Sequence, residues 1–327
     1  MKNFLENLEI VLSKDNLGLY KMMQYHFGIG DYQDQTSKYE FSYGSISEIF
    51  SNHFSINQKI SVQISTAIEL LNASLEVHED VRNGNTERLN KESLWWKFGP
   101  AQAINVGDGF QALSRSVLLN VSNYFDDHKI LLDLISNFDD RIIEICETEN
   151  FELSLQELPI TKVEDYFSII RNKYGSLLSN SFVLPAKLIK TFPFLNSNKE
   201  TNNFRTLADN LMIYEKIRKD VEFLNEESPK DSAQFGGILS KNKPLPVIYI
   251  FENGNPTQKR KIGEIYLDRV IDPKKIIKIK ELCIELDTIS QSLDTAEEYK
   301  NKSYFMLNQI GFSEQEIIDI FEKIKNI

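Results

Sequence analysis

A helical hydrophobic period that recurs almost without a break constrains this chain's fold more than any single motif. Residues 60–82 (ISVQISTAIELLNASLEVHEDVR) place Val62, Ala67, Leu70, Leu71, Leu75 and Val77 at mixed three- and four-residue spacings, as a buried helix does. Only 14 glycines and 9 prolines punctuate the 327 residues, too few for a turn-rich β fold. Thr161 with Glu164, Ser313 with Glu316 and Asp294 with Glu297 have capping-box spacing, which predicts helix starts. LPVIYIF (245–251) imitates a strand, yet its proline and apolar surroundings suit a buried helix start equally well. Turn-like stretches near 27–46, 83–93, 191–203, 225–246 and 252–257 are neither long nor biased enough to be linkers. The expectation is one all-α domain over residues 1–327, a bundle of about ten or more helices.

Charge and cysteine usage narrow the function classes. A net charge of −11 opposes general attraction to nucleic acid or to an anionic membrane, and leaves room for a local basic pocket for a small anion. Cys146 and Cys283 stand far apart without metal-ligand spacing, which suits a reducing cytosol. No apolar run approaches the ~18 to 20 residues that span a bilayer. The first residues, MKNFLENLEIVL, carry acids within the apolar stretch and do not read as a signal peptide. A cytoplasmic protein is expected.

The informative segment is residues 67–113, AIELLNASLEVHEDVRNGNTERLNKESLWWKFGPAQAINVGDGFQAL. It resembles the first aspartate-rich region of trans-isoprenyl diphosphate synthases (polyprenyl synthetases). There a helix ends in DDxxD, an RRxRPT-like loop follows, and the next helix carries an AINxGD signature. Ala103, Ile104, Asn105, Val106, Gly107 and Asp108 keep that signature. CETENFELSL (146–155) resembles CEGQxxDLxF, and DYFSIIRNKYGSLL (165–178) resembles EYxxMIxxKTGxLL. GILSKNKPLPVIY (237–249) resembles DxxxxKxxLPVxY, so the likeness covers roughly residues 35–310. It implies an isoprenoid synthase fold, helices around a central cavity, and a homodimer or a heterodimer with a related synthase.

The resemblance also implies chemistry. Such an enzyme ionises an allylic prenyl diphosphate while Mg²⁺, held by carboxylates on two facing helices, neutralises the leaving group. Here the first motif reads Glu79, Asp80, Val81, Arg82, Asn83. Glu79 and Asn83, four residues apart, share a helix face, and with Asp80 they could form a weak magnesium site. Otherwise these residues form an exposed acidic helix end. YEKIRKDVE (214–222) falls where FQxxDDxxD belongs, putting Arg218 and Lys219 at the paired aspartates and Glu222 at the third. Two cations there repel a metal ion; they pair with Glu79 and Asp80 across the cavity, bind phosphate, or form a solvated surface. Lys219 and Phe223 rule out a terpene-synthase-type metal site.

Arg88, Lys173 and Lys243 match family cations and are the candidate diphosphate ligands, while the loop gripping isopentenyl diphosphate survives at most as Lys38 within TSKYEFSY. His78, Trp95 and Trp96 read as packing residues. Small Ala73 and Ser74 with Leu75 before the first motif would not cap a short product tightly. Three functions follow from the resemblance: a prenyltransferase with weakened or lost magnesium-dependent catalysis, a non-catalytic or regulatory subunit of an active synthase, or a transferase to a non-isopentenyl acceptor such as a peptide.

Overall fold

The computed structural model describes residues 4–14, 18–32, 39–189, 198–225, 241–268, 271 and 273–327. Helices dominate these residues. In chain order they are α1 (Phe4–Leu12), α2 (Gly18–Phe27), α3 (Ser42–His53), α4 (Gln58–Asn83), α5 (Leu94–Phe98), α6 (Pro100–Leu119), α7 (His128–Gln156) and α8 (Val163–Ile169). After them come α9 (Ser176–Ala186), α10 (Asn198–Asn225), α11 (Leu245–Asn253), α12 (Pro256–Leu267), α13 (Pro273–Glu285), α14 (Thr288–Ile310) and α15 (Glu314–Ile324). A π-helical segment, Ile170–Gly175, joins α8 to α9.

The central helix is α4, packed against α1, α3, α6 and α9. It contains the periodic stretch read from the sequence, and of the six residues cited there only Leu75 is not fully buried. Asn57 caps its start by accepting from the Lys59 backbone N–H at 3.0 Å. Gly84, at φ +68°, ends it in the left-handed conformation that glycine adopts most cheaply. The family-like Gly107 lets α6 lie close to α4, because a Cβ there would fall 2.2 Å from His78 Nε2. Asp108 Oδ1 lies 3.4 Å from the same nitrogen without making a hydrogen bond, so close packing keeps His78 at the α4–α6 contact.

LPVIYIF forms α11, buried at Leu245, Val247 and Ile248, with Pro246 in the first turn. Ser313 and Glu316 form the expected capping box of α15. Two other boxes do not form. Thr161 stands outside α8, whose N-cap, Lys162, makes no side-chain cap bond, and Asp294 and Glu297 lie inside α14. Trp95 packs on the core and donates through Nε1 to the Asn85 carbonyl at 2.6 Å. Trp96, in contrast, is 56% exposed, because the short α5 can turn only one of two adjacent rings inward.

A small feature interrupts the helices. Glu87–Arg88 (β1) and Lys91–Glu92 (β2) pair antiparallel, with Arg88 opposite Lys91. The turn residues Leu89 and Asn90 both have positive φ, 53° and 60°, the two-residue hairpin geometry that matches strand twist. This hairpin positions Arg88.

Candidate functional site

One cavity of about 530 Å³ opens among the end of α4, the hairpin, α7, the π segment, α10 and the segment before α11. Glu79 and Asn83 line one wall; Lys216, Lys219 and Asp220 line the facing wall on α10. Lys241 and Lys243 lie at its edge, and Tyr39, Tyr166 and Tyr174 supply aromatic surface.

On the α4 wall the acids are already occupied. Arg88 donates through Nε to Asp80 Oδ2 at 2.9 Å and through Nη2 to Asp80 Oδ1 at 2.8 Å. The same guanidinium reaches Glu79 at 3.4 Å and Glu76 at 3.6 Å. Glu76 also accepts from the Tyr39 hydroxyl at 3.0 Å and meets His26 Nε2 at 3.0 Å. Burial pushes the Glu79 carboxyl up, but Lys173, Arg88, Arg82 and Lys216 outweigh it and hold the group down at about 2. Asp80 is only 2% exposed and faces the hairpin, so it does not line the cavity expected for a metal ligand.

The other expected positions are placed as follows. Lys173, 6% exposed, does not line the cavity and lies 2.9 Å from Glu152, 3.5 Å from Glu149 and 3.7 Å from Glu79. Burial lowers its pKa, and Tyr174 and these carboxylates more than reverse that, so its charge is spent internally. Arg88 reaches the cavity but is spent on Asp80, Glu79 and Glu76. Lys243 lines the cavity without a carboxylate partner: Nζ donates to the Leu155 carbonyl at 3.2 Å and lies 5.0 Å from the Tyr266 ring centre. Burial, then Lys241, lowers its pKa to about 8. Lys38 and the side chain of Phe223 lie outside the described residues.

The α10 wall corrects the expected frame. Arg218 turns away from the cavity and pairs with Glu215 at 2.7 Å and Glu222 at 2.8 Å along its own helix. Glu222 is exposed. The cavity-facing set is Lys216, Lys219 and Asp220, at the three- and four-residue spacing that shares a helix face. Lys216 is not among the candidate residues that the sequence motifs give, although its spacing from Lys219 and Asp220 places it on their face of the helix. Lys216 Nζ sits 4.4 Å from the Tyr174 ring centre. Burial and the neighbouring Lys216 push Lys219 down to about 8. Asp220 accepts from the Tyr166 hydroxyl at 2.7 Å and from the Leu245 backbone N–H at 3.0 Å, which ties α10 to α8 and α11.

The two walls therefore do not fit a magnesium cluster. Hard cations need free carboxylate oxygens. Glu76, Glu79, Glu152 and Asp220 all have donors or cations on them, and the facing wall adds ammonium groups. Among the described residues, no group of three or more His, Cys, Asp and Glu is placed to hold a metal ion. In contrast, Lys216, Lys219, Lys241 and Lys243 face the cavity with no carboxylate within 4.0 Å among the described residues. Such a set suits a polyvalent anion. No helix among the described residues is long and apolar enough to cross a membrane.

Comparison with known proteins agrees with the fold. A family model described as polyprenyl synthetase matches residues 45–283. A short chain isoprenyl diphosphate synthase of Methanocaldococcus jannaschii is 23% identical over 224 residues, covering 67% of this chain and 64% of that relative, which is just under two thirds of its length. A geranylgeranyl diphosphate synthase of Sulfolobus acidocaldarius is 22% identical over 267 residues, covering 80% of this chain and 78% of the relative. The crystal structure of a polyprenyl synthetase from Streptomyces coelicolor superposes with a TM-score of 0.80 at 17% identity, covering 98% of this chain and 95% of that one.

Proposed function

Because the chain belongs to the polyprenyl synthetase family, we propose that its cavity binds an allylic prenyl diphosphate through its own ammonium groups rather than through paired magnesium ions. The observation that carries this reading is the α10 wall, where Lys216 and Lys219 face Glu79 and Asn83 with no carboxylate within 4.0 Å among the described residues, Asp220 and Glu79 acting on Lys216 only from farther off. A diphosphate needs concentrated positive charge. Lysine supplies it as a point charge, where a Mg²⁺ pair would supply it as a Lewis acid. Lys243 and Lys241 extend the same field across the opening.

Ammonium groups bring single charges and no Lewis-acid coordination of the leaving oxygens, so they assist ionisation less than a magnesium cluster would. The reading is thus a family member with weakened or lost magnesium-dependent condensation, acting as a non-catalytic or regulatory partner of an active synthase in the cytoplasm. Exposed Ile104 on α6 and Leu132 and Ile143 on α7 support pairing with a second copy or a related synthase.

Calorimetric titration of the purified protein with dimethylallyl diphosphate tests it, comparing wild type, Lys219→Glu and Arg218→Glu. Lys219→Glu is expected to weaken binding about tenfold or more, ~1.4 kcal/mol, and Arg218→Glu to leave it unchanged. Equal losses at both positions would contradict the assignment. Incubation with Mg²⁺, isopentenyl diphosphate and a labelled allylic diphosphate is expected to give no elongation. Elongation by this chain alone overturns the non-catalytic reading, and transfer to a peptide favours the acceptor-switched one.

A further inference from the structure

Behind the cavity, α4 carries a polar face into the bundle interior. Ser65, Glu69, Asn72, Glu76 and Glu79 follow at four- and three-residue spacings and so share one side of the helix. Ser65 and Glu69 are fully buried. The helices packed there, α3 and α9, add polar groups of their own: Ser47 and Ser51 one turn apart on α3, and Asn180 on α9.

Contacts tie these layers together. The Gly44 backbone N–H donates to Glu69 Oε1 at 2.6 Å. A Cβ at Gly44 would fall 2.9 Å from Glu69 Cγ and 2.8 Å from Phe4, so only glycine lets α3 lie against that carboxyl. Ser181 donates to the Tyr43 carbonyl at 2.9 Å, joining α9 to α3. Towards the cavity, Asn72 Nδ2 donates to the Tyr39 hydroxyl at 2.8 Å, and that hydroxyl donates to Glu76.

The interior of this layer is unsatisfied. The hydroxyls of Ser42, Ser47, Ser51 and Ser65, Glu69 Oε2 and both amide atoms of Asn180 are buried with no hydrogen-bond partner among the described residues. Buried polar atoms at this density call for hydrogen-bonding partners, and a hydrocarbon chain brings none.

Resting on the diphosphate reading above, we infer that this polar stripe limits what the site recognises to the diphosphate and a short organic group, because the interior behind the cavity is chemically unfit for a long isoprenoid tail, so a longer tail gains no affinity there. Small Ala73 and Ser74 do not reopen the path: both are buried in the helix packing. The selectivity comes from polarity rather than from a bulky side chain closing a tunnel.

The test is a calorimetric series on the purified full chain: inorganic pyrophosphate, then dimethylallyl, geranyl, farnesyl and geranylgeranyl diphosphates. An apolar tunnel would tighten binding roughly tenfold or more per added isoprene unit. The inference expects pyrophosphate and dimethylallyl diphosphate to bind, with less than about threefold change from geranyl to geranylgeranyl. Glu69→Leu is expected to tighten geranylgeranyl diphosphate by about tenfold, while the isosteric Glu69→Gln keeps the flat series. If Glu69→Leu does not fold, the wild-type and Glu69→Gln series decide. Stepwise tightening in the wild type, with pyrophosphate binding intact, overturns this inference alone. Absence of binding by every member, pyrophosphate included, overturns the diphosphate reading and this inference with it.

Discussion

Arg88 and Asp80 meet as a fork, Nε to Oδ2 at 2.9 Å and Nη2 to Oδ1 at 2.8 Å, so the first-motif aspartate is neutralised from within the chain. The hairpin that carries Arg88 starts three residues after Gly84 ends α4, so motif and counter-charge are folded together locally.

That pair gives the first prediction. Arg88→Met leaves Asp80 buried without its counter-ion, a change that costs about 3–5 kcal/mol. Urea unfolding should show this loss. Arg88→Lys should recover only part of it, because one ammonium cannot reproduce two parallel donors. A loss under about 1 kcal/mol for Arg88→Met would mean the fork is a surface pair of little weight.

Lys219 and Lys243 supply a pH dependence. Burial, helped by neighbouring lysines, lowers both to about 8, so their positive charge fades as pH rises through that value. Diphosphate affinity should therefore fall between pH 7 and pH 9, by about tenfold if each loses most of its charge. Near pH 8 binding should take up protons, visible as a titration enthalpy that varies with the buffer's ionisation enthalpy. A flat affinity across this range contradicts the role of these lysines.

Glu69 predicts an unusual stability profile. Burial raises its carboxyl from 4.5 to about 8, only partly opposed by the Gly44 backbone hydrogen bond. With the folded value above the unfolded one, its contribution is fully present below about 4.5 and is lost as pH rises through about 8. At about 1.4 kcal/mol per pH unit, the decline over that window amounts to a few kcal/mol. Glu69→Gln should remove this component, so the variant's midpoint in urea should exceed the wild type's at pH 8 and approach it at pH 5. Parallel profiles for the two proteins would show that Glu69 is ionised in the fold.

Much of this architecture was legible in the sequence because helices announce themselves by period. The stretch 60–82 lies within α4, and the Ser313–Glu316 box marks the start of α15. The hairpin was not legible, since two-residue strands carry no period. Nor was the orientation of α10. One residue is about 100° of helix, so a gap-free frame that put Arg218 and Lys219 together inward could not see that Lys216, Lys219 and Asp220 share the cavity face. Lys173 matched its family position, but the carboxylates that absorb its charge, Glu149 and Glu152, come from α7. Thr161 had the right partner spacing, yet α8 starts after it with Lys162 as the cap residue.

The proposed diphosphate binding rests on the cavity's own lysines, not on magnesium. Titration with dimethylallyl diphosphate in excess EDTA, repeated in millimolar Mg²⁺, tests it most directly. Dissociation constants with and without Mg²⁺ are expected to agree within about threefold, ~0.7 kcal/mol. Binding that appears only with Mg²⁺, or tightens a hundredfold on its addition, would contradict it.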